Sequence, residues 1–104
     1  MTEQEKMDLL NDVKNYLRIT WDDEDADIQK MISRSMAYFK SVTGADVDFV
    51  QDEQARQLLL DRCRYVRNYA AEEFETNFLS EIINLQISVL PSTSSTVEGE
   101  SDGL

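Results

Sequence analysis

At 104 residues, with 21 Asp and Glu against 10 Lys and Arg, the chain carries a formal charge of −11 and contains no His. The length suits one domain, and the missing imidazole removes Ser-His-Asp and Cys-His catalysis, His-containing zinc sites and a His proton switch. A lone Cys63 makes no internal disulfide, and so acidic a chain opposes a grip on phosphate backbones, which needs clustered cations.

Met1 to Lys6 is polar and lacks the apolar stretch of a signal peptide. The apolar run Leu58-Leu59-Leu60 falls far short of a membrane span. The expectation is a soluble chain made in the cytoplasm with a reduced thiol and no membrane attachment.

The first element expected is a helix from about Glu3 to Leu17. Thr2 with Glu5 makes a capping-box pattern, and Leu9, Leu10, Val13, Tyr16 and Leu17 recur at helical spacing. A short link at Arg18-Ile19, with Thr20 and Trp21, interrupts it. In the second helix Ile28, Ile32, Ser35, Phe39 and Val42 follow a 4-3-4-3 spacing, widened by Met31, Met36 and Tyr38 into a broad apolar face. Asp22 or Asp23 is the expected cap, and Gly44 the left-handed stop.

Ala45 to Gln51 reads as a loop, with an extended stretch proposed at Val47–Val50. Asp52 then caps a third helix whose Ala55, Leu59, Cys63, Val66 and Ala70 share a face, with Phe74 near its end. A last helix is expected over Phe78 to Ser88. No internal repeat is visible. The fold class is therefore all-α, a small bundle of about four helices over residues 1–90. After Pro91 the chain changes character: residues 92–104 hold three acids, no base and two apolar side chains. Such a segment buries too little surface to offset its ordering entropy, so 91–104 is predicted to be a flexible acidic tail. Removing its three acids from −11 leaves −8 on residues 1–91.

Several clusters merit a chemical reading. In the run Asp22-Asp23-Glu24-Asp25-Ala26-Asp27, Asp23, Asp25 and Asp27 match the first alternate ligands of an EF-hand loop. The sixth position is Ile28 rather than Gly and the twelfth is Arg34 rather than Glu, so an acidic helix start is the better reading. Cys63 reads as a small buried hydrophobe. Arg56, Arg64 and Arg67 fall within about 80° on the helical wheel. Interspersed acids make that stripe a solvated or inter-subunit salt-bridging face rather than a DNA-reading one. Arg62 projects from the apolar face, where a charge requires an acidic partner from the same or a neighbouring subunit. Finally, Phe78, Leu79, Ile82, Ile83 and Leu85, with Phe74, Ile87, Val89 and Leu90, exceed what one face of a short helix buries. They read either as an all-round buried helix or as a surface that meets another chain. No pair of carboxylates is singled out for catalysis, and no cofactor is implied.

Two stretches carry a resemblance. The first runs from Leu17-Arg18-Ile19-Thr20-Trp21 through Asp22-Asp23-Glu24-Asp25 to Ile28, then Ile32 and Tyr38 to Gly44. The second is Asp61-Arg62-Cys63-Arg64-Tyr65-Val66-Arg67-Asn68-Tyr69, followed by Glu73-Phe74 and Asn77-Phe78-Leu79-Ser80-Glu81-Ile82. In order and spacing they resemble the small head–tail connector (adaptor, DNA-packaging) proteins of tailed bacteriophages and prophages. The resemblance implies a structural virion subunit at the head–tail junction. On that resemblance it would form a ring of about a dozen copies beneath the portal protein, extend the DNA channel and seat a head-completion or tail protein. DNA would pass through without specific binding, and the acids Asp22, Asp23, Glu24, Asp25 and Asp27 would be candidates for the channel wall. Arg56, Arg62, Arg64 and Arg67, with the apolar residues near the C-terminus, would be candidates for subunit or portal contacts. The competing reading is a small acidic regulator, an antirepressor or DNA mimic that blocks a basic partner.

Overall fold

Local capping chemistry sets the first helix. The Thr2 hydroxyl accepts from the Glu5 backbone N–H at 3.1 Å while the Glu5 carboxylate accepts from the Thr2 N–H at 2.9 Å, so two otherwise orphaned donors are satisfied. The computed structural model describes residues 1–90; the tail expected at 91–104 lies outside the described residues. Helix α1 spans Glu3–Leu17, α2 Asp25–Thr43, α3 Glu53–Arg67, α4 Ala71–Asn77 and α5 Leu79–Ser88. No strand occurs among the described residues, and the small all-helical bundle is as the hydrophobic periodicity predicts.

Helices α2 and α3 pack together, α1 contacts both, α4 packs on α3, and α5 contacts α2, α3 and α4. The core is contributed by Leu9, Leu10 and Val13 of α1, Ile28, Ile32 and Phe39 of α2, Leu58, Leu59 and Cys63 of α3, and Phe74, Ile82 and Leu85 of the last two helices. Phe49, in the turn before α3, tucks beneath Phe39 with ring centroids 5.8 Å apart. That turn replaces the extended stretch anticipated at Val47–Val50. The Asp48 carboxylate accepts from the Val50 and Gln51 N–H groups, each at 3.0 Å, an Asx-type closure that outcompetes extension.

Asp52 caps α3 as expected, accepting from the Ala55 N–H at 3.1 Å, and Gly44 ends α2 at φ 73°. The cap expected for α2 is different. Glu24, not Asp22 or Asp23, occupies the N-cap position and makes no side-chain cap bond, because the Asp22 carboxylate is taken by the Lys14 ammonium at 2.7 Å. The third helix also stops earlier than its apolar spacing implies. Tyr69 adopts φ 59°, its N–H bonds the Val66 carbonyl at 3.1 Å, and the Ala70 N–H bonds the Tyr65 carbonyl at 2.8 Å. This is a Schellman closure built without glycine. Ala70 therefore leaves the α3 face, and Phe74 moves to the separate short helix α4. Arg18 closes α1 in the same manner at φ 62°, with the Ile19 N–H on the Lys14 carbonyl at 2.8 Å.

Two substitutions test this construction in opposite directions. Tyr69 is 93% exposed, so Tyr69→Gly loses little packing while relieving a left-handed penalty of roughly 1 kcal/mol; denaturant melts should show a more stable protein. Phe74 is fully buried, and Phe74→Ala should cost about 3–5 kcal/mol in the same measurement.

Candidate functional site

Helix α5 divides its apolar residues between two opposite faces. Ile82 and Leu85 are buried, so these two, first considered for a partner surface, belong to the core. Phe78 precedes the helix and stacks on Phe74 with centroids 4.8 Å apart and planes at 17°; it too is chiefly an internal contact. Leu79, Ile83, Ile87 and Leu90 are 55%, 43%, 61% and 60% exposed. The spacing of four residues from Leu79 to Ile83 and on to Ile87 aligns these three along one outer stripe of α5, and Leu90 lies just past the end of the helix. Two members of the predicted surface, Leu79 and Ile83, are thus free, and Ile87 and Leu90 extend it. Completing the burial of these four half-exposed side chains is worth about 4 kcal/mol.

The acidic run is tied to the frame. The Lys14 ammonium, on a buried side chain, lies 2.7 Å from both Asp22 and Asp25. Glu24 meets Arg67 at 2.9 Å and accepts from the Trp21 indole N–H at 2.7 Å. Hydrogen bonding from Arg67, then from Trp21, holds the Glu24 carboxyl below the usual carboxylate range. Asp22, Asp23 and Asp27 are all exposed, Asp22 while pairing with Lys14. The partial EF-hand match assembles no cation site: no group of three or more His, Cys, Asp or Glu among the described residues is placed to hold a metal ion.

The arginines expected to form a stripe have partners within the chain. Arg56 reaches Asp12 at 2.7 Å and the Phe49 carbonyl at 3.3 Å, Arg64 lies 3.6 Å from Asp61, and Arg67 holds Glu24. For Arg62 the half of the expectation that placed an acid within the subunit is not met among the described residues. No acid among the described residues comes within ion-pair distance of it; its guanidinium lies 3.9 Å above the Tyr38 ring and 5.3 Å from that of Phe74, and it donates to the Ala71 carbonyl at 3.2 Å. Cation–π attraction and one carbonyl stand in for the acidic partner, while the Nε stays buried without a hydrogen-bond partner. Cys63 is a buried hydrophobe beside Ser35, and burial pushes its thiol up to about 11.

The site is thus a rigid helical body with an unpartnered apolar stripe and no assembled catalytic constellation among the described residues. The family model for the phage gp6-like head-tail connector protein matches residues 7–96 of the chain. The chain belongs to this family. No curated protein and no solved structure matches it. Head–tail connectors are structural components of the virion. No helix among the described residues is long and apolar enough to cross a membrane.

The connector's titrations predict where its stability fails. Hydrogen bonds donated to the Asp22 and Asp25 carboxylates raise the Lys14 pKa, a hydrogen bond to Asp61 raises that of Tyr16, and burial raises those of Tyr38 and Cys63. Each group keeps its proton in the folded state after the unfolded chain has released it. The stabilisation is therefore complete below about pH 9 and is lost as the pH climbs through 10 and beyond. Thermal melts from pH 8 to 11 should show a falling midpoint, with part of the fall removed in Lys14→Met. At pH 8 Cys63 should resist a thiol reagent until the protein unfolds.

Proposed function

We propose that the chain is a connector subunit that closes a ring beneath the portal, extends the DNA channel and seats a head-completion or tail protein. One observation carries the reading: the outer stripe Leu79, Ile83 and Ile87 on α5, with Leu90 just past its end, lies exposed on a body whose core is complete without it. An apolar row of this kind on a small acidic protein is a docking face, and a portal or neighbouring subunit is the partner that the family supplies. The charge supports passage rather than grip. With −11 on each subunit, a ring repels the DNA phosphates, so the polymer slides without held counterion-releasing contacts. Asp23 and Asp27, exposed at the start of α2, are the acids of the run best able to face such a channel. Asp22, Glu24 and Asp25 are engaged by Lys14 and Arg67. That engagement weakens the mimic reading, which needs the same carboxylates free to imitate phosphates. The reading includes no chemical step: the subunit binds, orients and transmits.

The test is the double variant Leu79→Asp/Ile83→Asp. Both sites are half exposed or nearly so, so the fold should survive with a stability change near 0.5–1 kcal/mol. Assembly on portal rings, or into rings at high concentration, should be lost by light scattering and electron microscopy. A variant that still assembles like the wild type would remove α5 from the interface.

A further inference from the structure

In a chain with twice as many acids as bases, a cation without an acidic partner is unusual. Among the described residues Lys6, Lys14, Lys40, Arg56, Arg64 and Arg67 each have a carboxylate within 4 Å. Arg18, Lys30, Arg34 and Arg62 have none. Three of these four, Lys30, Arg34 and Arg62, line one groove of about 570 Å³ between α2 and the C-terminal end of α3. Arg67 also borders it, as do Glu24 and Asp27, leaving the groove net positive in a chain of −11. Its lining includes the apolar side chains of Ile28, Met31 and Val66. A site with that composition selects an anionic segment that also carries aliphatic side chains.

The chain contains such a segment. Val97-Glu98-Gly99-Glu100-Ser101-Asp102-Gly103-Leu104 holds three acids, no base and an aliphatic residue at each end. Reach is sufficient. The Gln86 amide donates to the Val42 carbonyl at 2.7 Å, so α5 ends against the C-terminal part of α2. Arg34 lies about 12 Å and Lys30 about 18 Å further along that helix, whereas residues 91–97 can span about 24 Å. We propose that the acidic C-terminal segment 97–104 docks in the cationic groove of its own chain, its carboxylates against Lys30, Arg34 and Arg62. The pairing rests chiefly on Lys30 and Arg34, since the Arg62 guanidinium is already packed on the Tyr38 ring and bonded to the Ala71 carbonyl. It is independent of the ring reading, because it requires neither a portal nor a second copy.

Amide and guanidinium NMR spectra of the full chain test it, comparing wild type with Glu98→Gln/Glu100→Gln/Asp102→Asn. The variant should move the resonances of Lys30, Arg34, Arg62 and Tyr69 and leave those of α1 in place. Sodium chloride at 0.5 M should move the wild-type resonances the same way, by screening. Lys30→Gln/Arg34→Gln should produce a matching displacement at the Glu98, Glu100 and Asp102 amides, and all shifts should be independent of protein concentration. Groove resonances indifferent to the tail substitutions would overturn the proposal. So would shifts that grow with concentration, which assign the groove to a neighbouring copy's tail. Added duplex DNA moving the groove where the tail changes do not would reassign it to a phosphate backbone.

Discussion

Phe74 touches Tyr38 and Phe39 of α2, Tyr65 of α3 and Phe78 at the head of α5, with ring centroids between 4.8 and 6.1 Å apart. Its geometry is edge-on to the first three and stacked on the last, as ring quadrupoles favour. The orientation of the C-terminal third follows from it. With Phe74 fixed in the core and Phe78 stacked over it, α5 has one rotational setting in which Ile82 and Leu85 face inward. Leu79, Ile83 and Ile87 are then obliged to face out. The exposed stripe is a consequence of where one aromatic side chain is held.

The same ring cluster explains Arg62. A guanidinium inside an apolar face is ordinarily neutralised by a carboxylate, and desolvation makes an unpaired charge costly. Here the Tyr38 and Phe74 rings offer their faces and the Ala71 carbonyl accepts one N–H. The same side chain borders both the groove lined by Lys30 and Arg34 and a second hollow lined by Glu72 and Glu75. Charge in this protein is thus segregated: Lys14, Arg56 and Arg67 are consumed in ion pairs that brace α1, α2 and α3, Lys30, Arg34 and Arg62 line one groove, and acids outnumber bases two to one over the chain. Such a surface suits a component that must sit beside DNA without holding it.

What the sequence made legible was local. Thr2 with Glu5, Asp52 and Gly44 act within one turn of their own helix, so their chemistry is visible without a fold. The break at Tyr69 was not, because Cys63, Val66, Ala70 and Phe74 continue a helical spacing straight through it, and the left-handed residue is not glycine. Nor could spacing reveal which of the crowded apolar residues of α5 face inward. That division depends on the ring of Phe74 arriving from another helix. The acidic run was legible as a helix start but its internal use was not, since Lys14 meets Asp22 and Asp25 only once α1 and α2 are folded together. The family resemblance reached the connector assignment where single motifs could not, because it drew on the order of several segments at once.

The central claim is that the subunit is complete within itself and meets its partners through the outer face of α5. Hydrogen–deuterium exchange of the free subunit and of the subunit assembled on portal rings compares these states directly. Assembly should add protection at residues 79–90, by tenfold or more in exchange rate, while α1 and the buried turns of α3 exchange alike in both states. Unchanged exchange along α5, with new protection confined to other helices, would contradict the account.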